Sequence, residues 1–208
     1  KIGAGRGVAV SINGGAAATT TTNAFGSYVI NTTVNANDVV TVYLDGNTEK
    51  GVTVTLSQYS GTPDIDIYQD HLIVRHENAG PITNTHLNTA DNNGDPDIAS
   101  IYSAPSASIS IVAGKELFVM AGKTYTPGGN ITGGNLDVRG TMNMGTFSLV
   151  TAGNFNLSSG ATFNAGTGLI RVNGNYTQTG GDFVGSTGPM IVFGNFTLSG
   201  GTFSISAP

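Results

Sequence analysis

The sequence predicts an all-β chain, with a small N-terminal antiparallel β-sandwich followed by a right-handed parallel β-helix. Two observations predict this. Over roughly the last hundred residues, apolar positions recur every 19 to 21 residues, and such a period indicates stacked units that cannot bury their apolar faces alone. Charged residues make up only 10% of the chain, and Gly is abundant, a composition that favours short strands and tight turns. We therefore expect about five coils of about 20 residues each.

The first predicted unit, residues 1–57, has the alternation of strands with one buried face. Val8, Val10 and Ile12 alternate with small or polar residues. The sequence Asn-Gly-Gly at residues 13–15 is a turn signal. No helical periodicity is visible in this unit. The predicted strands cover residues 8–12, 25–30, 40–44 and 52–56.

Residues 22–28, Thr-Asn-Ala-Phe-Gly-Ser-Tyr, carry a short motif around Gly26. This run resembles the T-[DN]-x-x-G-x-[YF] signature of carboxypeptidase regulatory-like domains, which are transthyretin-like β-sandwiches. The resemblance covers about a quarter of the chain. In that family the module is a non-catalytic spacer or stabiliser of secreted and surface proteins. The resemblance thus implies a β-sandwich with Tyr28 and Ile30 pointing inward, an extracytoplasmic location and no activity.

The second predicted unit, residues 58–108, is the least regular. Ile65 and Ile67 indicate one short strand, and residues 72–74 indicate another. The remainder is rich in turn signals. Because an open solenoid end exposes unpaired strand edges, we expect this segment to pack on the first coil as its N-terminal cap.

The third predicted unit, residues 109–208, carries the repeat. Each coil has two apolar anchors, seven or eight residues apart, that we expect to stack inside the solenoid. The first anchors are Leu117, Leu136, Phe155, Tyr176 and Phe196. The second anchors are Tyr125, Met144, Phe163, Phe183 and Phe203.

A third line of inward positions and the corners complete each predicted coil. Ile170 and Val172 alternate, and we expect Ile191 and Phe193 to repeat them one coil later. Gly and Asn accept the left-handed backbone that corners require, and Asn at successive corners can form a hydrogen-bonded ladder. Gly-Asn recurs at residues 129–130, 134–135, 153–154, 174–175 and 194–195.

In period and composition, the repeats at residues 109–208 resemble those of bacterial surface β-solenoids. These include autotransporter passengers and filamentous-haemagglutinin-type adhesins, and the resemblance covers nearly half of the chain. It implies a secreted or cell-surface structural protein, such as an adhesin or a filament subunit.

One segment has the composition of a metal loop. Asp91, Asn93, Asp95 and Asp97 alternate around Gly94, as oxygen ligands do in acidic Ca²⁺ loops. Gly94 precedes the third ligand, however, and no Glu follows at the twelfth position. Two interpretations stay open, a Ca²⁺ site and an Asx-rich surface turn. No other cofactor is expected.

The other titratable residues predict no catalytic site. Asp64 and Asp66 share one face of a strand, which is the pattern of a solvated face. His71 and His76 would lie on opposite faces of a strand, so joint metal ligation is not expected. A structural role at the junction is the better interpretation of the histidines. We therefore expect a protein that is not an enzyme.

The charge and the repeat restrict the partners. A net charge of −5 and a pI near 4.9 argue against nucleic acid, which needs a basic face. No apolar run is long enough for a membrane span. No polar cap follows the repeat at residues 204–208, so we expect end-to-end association with other copies. Surface glycans and other cell-surface proteins are further expected partners, and a carbohydrate-binding or polysaccharide-degrading β-helix is the alternative function.

Overall fold

The computed structural model describes residues 3–59, 64–185 and 187–205. Its N-terminal part is a four-stranded antiparallel sheet, here called the N-terminal sheet, with the strand order β2-β1-β3-β4. Asn13 and Gly14 both have positive φ, 52° and 69°, and form the predicted turn after the first strand. The four strands are β1 (Gly7–Ile12), β2 (Ala18–Thr21), β3 (Val39–Leu44) and β4 (Val52–Leu56).

The N-terminal β-sandwich is not confirmed. The strand predicted at residues 25–30 is wrong, because residues 24–26 form a turn closed on Asn23 and the chain then continues without regular secondary structure. Tyr28 and Ile30 do point inward, onto the apolar face formed by β1 and β3. Among the described residues, this face is covered by irregular chain rather than by a second sheet.

A β-solenoid built of parallel sheets follows the N-terminal sheet. The five-stranded sheet has the order β19-β16-β13-β10-β8, and the larger sheet contains the remaining strands. The strands that follow β4 are β5 (His71–Val74), β6 (Tyr102–Ser103), β7 (Ile109–Val119), β8 (Thr124–Tyr125), β9 (Ile131–Val138), β10 (Thr141–Asn143), β11 (Leu149–Thr151), β12 (Phe155–Leu157), β13 (Thr162–Asn164), β14 (Ile170–Val172), β15 (Tyr176–Gln178), β16 (Asp182–Val184), β17 (Met190–Val192), β18 (Phe196–Leu198) and β19 (Thr202–Ser204).

The solenoid has about seven turns, so the predicted five coils were too few. The physical reason is that parallel pairing starts before the recognisable repeat. β4 pairs with β5 in parallel, and β5 pairs with the second half of β7. This line of strands then continues through β9, β12, β15 and β18. The right-handed sense of the coil stays a prediction.

Two long strands join two sides of the solenoid. In β7 the register shifts between Ile111 and Glu116, and in β9 the chain bends at Gly133 and Gly134, both with positive φ. The first half of β9 pairs with β11 and its second half pairs with β12. The place that the single bent strand β9 takes in its coil is taken in the next coil by two short strands, β11 and β12.

The first line of anchors is confirmed. Leu117, Leu136, Phe155, Tyr176 and Phe196 occupy equivalent positions in successive coils. Leu72 extends this line by one coil toward the N-terminus. Apart from Phe196, all of these side chains are at most 1% exposed, so the interior is a continuous apolar core.

The second line of anchors needs one correction. Met142, not Met144, pairs with Tyr125 and Phe163. The reason lies in the corner before β10, which has only two residues, whereas the corner before β13 has four. Phe163, Phe183 and Phe203 stack as predicted, with ring centroids 5.3 and 4.6 Å apart.

The predicted inward positions Ile191 and Phe193 are wrong. Met190 and Val192 pair with Ile170 and Val172, so the register lies one residue earlier than expected. Ile191 therefore points outward, and so does Phe193 just beyond the strand, where the Arg171 guanidinium lies 4.8 Å from its ring centroid.

Two helices lie between β5 and β6, in the segment expected to contain only strands and loops. They are α1 (Asn84–Asp91) and α2 (Pro96–Ala99). Thr83 caps α1 and Asp95 caps α2 with side-chain oxygens that accept main-chain N–H bonds. Helix α1 packs against β3 and β7. Leu87, Ala90 and Ile98 belong to the same core as the coils.

Candidate functional site

The last described coil leaves three strand edges unpaired. β17, β18 and β19 each pair with the strand of the preceding coil, and no described strand pairs with their other edges. Tyr176 is 0% exposed, whereas Phe196, at the same position one coil later, is 46% exposed, and Leu198 is 49% exposed. Unpaired edges beside exposed apolar side chains are a template for another β-strand.

The predicted Asn ladder is present along one corner of the solenoid. The main-chain N–H of Asn154 donates to Oδ1 of Asn135 at 2.8 Å. Asn175 donates in the same way to Asn154 at 2.9 Å, and Asn195 donates to Asn175 at 2.8 Å. Among the described residues, none donates to Oδ1 of Asn195. The ladder thus ends at the last coil on an open acceptor.

The Gly before each ladder Asn is required by the ladder itself. A Cβ on Gly153 would lie 2.0 Å from Oδ1 of Asn135. The corresponding distances at Gly174 and Gly194 are 2.6 and 2.5 Å, to the Asn side chain of the preceding coil. All are shorter than carbon–oxygen contact allows. The Gly-Asn pair is therefore a steric and hydrogen-bonding unit.

Two of the four predicted Ca²⁺ ligands meet a third acidic residue that the sequence did not indicate. Carboxylate oxygens of Asp45, Asp95 and Asp97 all lie within 4.8 Å of one another. Burial, followed by the charges of Asp95 and Asp97, raises the pKa of Asp45. Lys50 Nζ donates to Asp97, and the Tyr43 hydroxyl donates to Asp95 at 3.0 Å. The cluster is thus partly neutralised by the protein.

The other two predicted ligands have separate roles. Asp91 Oδ2 accepts the main-chain N–H of Ala104 at 2.7 Å. Asn93 Nδ2 donates to the carbonyl of Gly15 at 2.7 Å. Asp91 ends helix α1 and Asp95 caps α2, so the four residues do not form a single loop around one point. Ca²⁺ binding at Asp95 and Asp97 stays a prediction.

An aromatic and charged cluster lies on the outer surface beside the second half of β7. We call it the outer cluster: Tyr68, His71, Glu116, Phe118, Asp137 and Arg139. The Tyr68 and His71 rings are 5.7 and 6.2 Å from the Phe118 ring, all edge to face. The Arg139 guanidinium lies 4.9 Å from the centroid of Phe118. Tyr68 is 41% exposed.

Charges in the outer cluster are paired. His71 Nε2 lies 2.9 Å from Oε1 of Glu116, and this hydrogen bond raises the pKa of His71. Burial raises the pKa of Asp137, although Arg139 Nε donates a hydrogen bond to its Oδ2 at 3.0 Å and Arg139 Nη2 lies 2.9 Å from the same oxygen. This cluster has no signal in the sequence, because Tyr68 and His71 join the other residues through the pairing of β5 with β7.

The remaining predicted residues are structural or solvated. His76 accepts the N–H of Thr124 on Nε2 at 2.9 Å. His86 caps helix α1 with Thr83, and burial lowers its pKa. Asp64 and Asp66 are exposed, as expected, but residues 64–68 form no strand, so the short strand predicted at Ile65 and Ile67 is wrong. His71 and His76 thus do not share a site.

A groove of about 1230 Å³ runs along the N-terminal sheet. Val8 and Val40 form part of its floor, and Tyr28 and Ile65 cover this floor from the other side. At its polar end Glu49 pairs with Arg6 at 2.9 Å. Val8 and Val40 are at most 1% exposed. The groove therefore lies mainly along the packed contact between the sheet and the segments that carry Tyr28 and Ile65.

No helix among residues 3–59, 64–185 and 187–205 has the length and apolar character needed to cross a membrane. Comparison with known proteins finds no matching family model, no similar curated protein and no similar solved structure.

Proposed function

We propose that the protein is a non-catalytic structural β-solenoid outside the cell, either a surface adhesin or a filament subunit. In this proposal it joins other polypeptides by adding β-strands to its last coil. The observation that carries the proposal is the last coil itself, with three unpaired strand edges and the exposed side chains of Phe196 and Leu198.

Physical chemistry favours association at this coil over any other described surface. Strand addition satisfies main-chain donors and acceptors that a solenoid otherwise leaves to water at its end. Phe196 already stacks on Tyr176, with ring centroids 4.9 Å apart, and would gain a second partner for its exposed part. At the other end of the larger sheet, the edge strand β2 offers mainly threonines. The apolar driving force is therefore concentrated at β17, β18 and β19.

An extracellular location is supported by the composition of the chain. The chain has no cysteine and little charge, as is common in the bacterial surface β-solenoids that its repeats resemble. Fractionation of producing cells, with protease treatment of intact cells, tests this part of the proposal. Protection of the protein until the cells are lysed would contradict it.

Self-association of the purified chain tests the proposed use of the last coil. We expect sedimentation velocity to show association that grows with concentration, and electron microscopy to show end-to-end particles or fibres. Phe196→Asp with Leu198→Asp should abolish it, because charge at an apolar edge blocks strand addition. Phe25→Asp is the matched control, since Phe25 is 75% exposed at a distant turn. A monomer at every concentration, or equal loss in the control, would contradict the proposal.

Carbohydrate binding is the second candidate function, and the outer cluster favours it. Tyr68 is 41% exposed and packs edge to face against Phe118, whose ring centroid also lies 4.9 Å from the Arg139 guanidinium. Aromatic faces with charged neighbours suit sugars. A glycan array with the natural chain and Tyr68→Ala tests this. Binding that disappears with Tyr68→Ala supports the candidate, and an array without hits removes it.

A further inference from the structure

We propose that residues 76–86 form an acid-sensitive cover over strand β8, the first strand of the five-stranded sheet. Two imidazole nitrogens hold this cover by accepting main-chain N–H groups, one on His76 and one on His86. A nitrogen that accepts an N–H carries no proton itself, so acid removes both acceptors. The inference goes beyond the proposed function, because it concerns a response to pH away from the last coil.

The cover takes the place of a neighbouring strand. β8 stands at the end of its sheet, and Ile82 forms an isolated bridge to it. The Ile82 N–H donates to the carbonyl of Thr124 at 3.1 Å, and the Thr126 N–H donates to the carbonyl of Ile82 at 2.9 Å. Ile82 is 0% exposed. Without the cover, this edge of β8 would be open to water or to another strand.

His86 holds the end of the cover at which α1 begins. Its Nδ1 accepts the N–H of Thr83 at 3.1 Å, so the proton of the neutral ring lies on Nε2. Protonation of Nδ1 would set two N–H groups against each other. The Thr83 hydroxyl, also 3.1 Å away, could accept from the protonated ring but cannot replace the lost acceptor. The first turn of α1 holds no acidic residue, and the helix dipole disfavours a positive charge there.

His76 completes the same edge of β8. Its Nε2 accepts the N–H of Thr124 at 2.9 Å, and its Nδ1 donates to the carbonyl of Asn78 at 2.9 Å. The ring has little room to turn, because it packs on Gly80, where a Cβ would lie 2.6 Å from Nε2. A protonated ring would therefore direct an N–H at the N–H of Thr124.

The charges near His76 disfavour its protonation. Glu77, the adjacent carboxylate, is already paired with Arg75 and lies 3.1 Å from Lys123 Nζ. Lys123 also donates to the His76 carbonyl at 2.6 Å. Tyr125, the titratable residue of β8, is buried in the core. A proton on His76 would thus add a positive charge beside an existing ammonium, which destabilises the protonated form.

His86 has no carboxylate partner. Helix α1 packs against β3 and β7, whose titratable residues are Tyr43, Lys115 and Glu116. None of these shifts the pKa of His86, and neither does Asp91 at the end of α1, because burial alone lowers it. Since the folded-state pKa is the lower one, the neutral ring stabilises the fold above the unfolded-state pKa of about 6.5. This stabilisation is lost as the pH falls through the folded-state pKa.

Hydrogen exchange of the full chain, measured residue by residue by NMR at about pH 5 and about pH 7.5, tests the inference. We expect the protection factors of Thr83 and Thr124 to fall about threefold to tenfold at the lower pH, as the loss of a helix cap predicts. Residues of β12 and β15 are the internal reference and should keep their protection.

His86→Gln is the matched control, because Gln at this helix position is the acceptor of an ordinary capping box and does not titrate. In this variant Thr83 should keep its protection at the lower pH, whereas Thr124, which depends on His76, should still lose it. Equal protection of Thr83 and Thr124 at both pH values overturns the inference. So does an acid loss at Thr83 that is as large in His86→Gln as in the natural chain. A loss of the same size in β12 and β15 also overturns it, because the whole fold then opens rather than the cover.

Discussion

The hydroxyl of Tyr125 donates a hydrogen bond to Oδ1 of Asn84, and both residues are completely buried. Asn84 in turn donates Nδ2 to the carbonyl of Ala107. This pair ties the first residue of helix α1 to the start of the five-stranded sheet. A polar group inside the core is thus fully paired, as burial requires.

Tyr125→Phe should lower the free energy of unfolding by about 1–3 kcal/mol, because it leaves the buried Oδ1 of Asn84 without a donor. Chemical denaturation measured by circular dichroism gives this value. Tyr68→Phe is the matched control, since its exposed hydroxyl should matter by less than about 0.5 kcal/mol. Equal effects of the two changes would contradict the importance of the Tyr125–Asn84 bond.

Gly153→Ala should destabilise the solenoid by about 1–3 kcal/mol, because the new methyl group overlaps Oδ1 of Asn135. In an Asn135→Ala background the same change should cost much less, since the overlapping atom is gone. A double-mutant cycle by denaturation measures this coupling. Additive effects, within about 0.5 kcal/mol, would show that the Gly does not serve the ladder.

The His71–Glu116 pair should make stability depend on pH. The pKa of His71 is raised above its usual 6.5 by the hydrogen bond to Glu116. Because the pKa of His71 is higher in the folded than in the unfolded protein, protonated His71 stabilises the fold at pH values below its unfolded-state pKa. This stabilisation is lost as the pH rises through its folded-state pKa. The free energy of unfolding of the natural chain should therefore exceed that of Glu116→Gln by about 0.2–1 kcal/mol near pH 6. This difference should disappear at higher pH.

Denaturation at a series of pH values checks the His71 prediction. His86, whose pKa burial lowers, titrates in both proteins and should cancel in the difference. A difference that stays constant from about pH 6 to about pH 9 would contradict the assignment to His71.

Lys50→Met should make the stability of the protein depend on a cation bound by Asp45, Asp95 and Asp97. Removing the ammonium leaves three neighbouring carboxylates without a counter-charge, so the variant should be less stable by about 1 kcal/mol or more. Ca²⁺ prefers such oxygen ligands, and it should restore the melting temperature of this variant more than it shifts that of the natural chain.

Thermal unfolding in Ca²⁺ and in EDTA provides the measurement for Lys50→Met, with Asp95→Asn added in the same variant as the control. The control should lose most of the Ca²⁺ effect. If Lys50→Met has the same melting temperature in Ca²⁺ and in EDTA, the segment binds no Ca²⁺. The interpretation as an Asx-rich surface turn is then correct.

The first line of apolar anchors was predictable from the sequence, because its spacing does not depend on the length of the corner within each coil. Leu117, Leu136 and Phe155 follow the apolar spacing because they lie at paired positions of parallel strands that are hydrogen-bonded from coil to coil. The Asn ladder was predictable because Gly-Asn recurs in step with these anchors. Met142 was missed because a corner of two residues looks like any other Gly-containing stretch.

Helix α1 was missed because its inward residues, Asn84, Leu87 and Ala90, include a polar one and show little apolar periodicity. The sequence signals for these helices were Thr83 as the N-cap of α1, and Asp95 before Pro96 as the start of α2. The cluster of Asp45 with Asp97 was beyond sequence reasoning, since tertiary packing brings the turn after β3 to helix α2.

The parallel stacking of β12, β15 and β18 has a mechanical consequence. The strands lie across the long axis, so a pulling force between the two ends acts along the hydrogen bonds that join successive coils. Such a load peels coils one after another instead of shearing many bonds together. The chain should therefore lengthen in small repeated steps of about one coil, beginning at the least buried coil, β17 to β19.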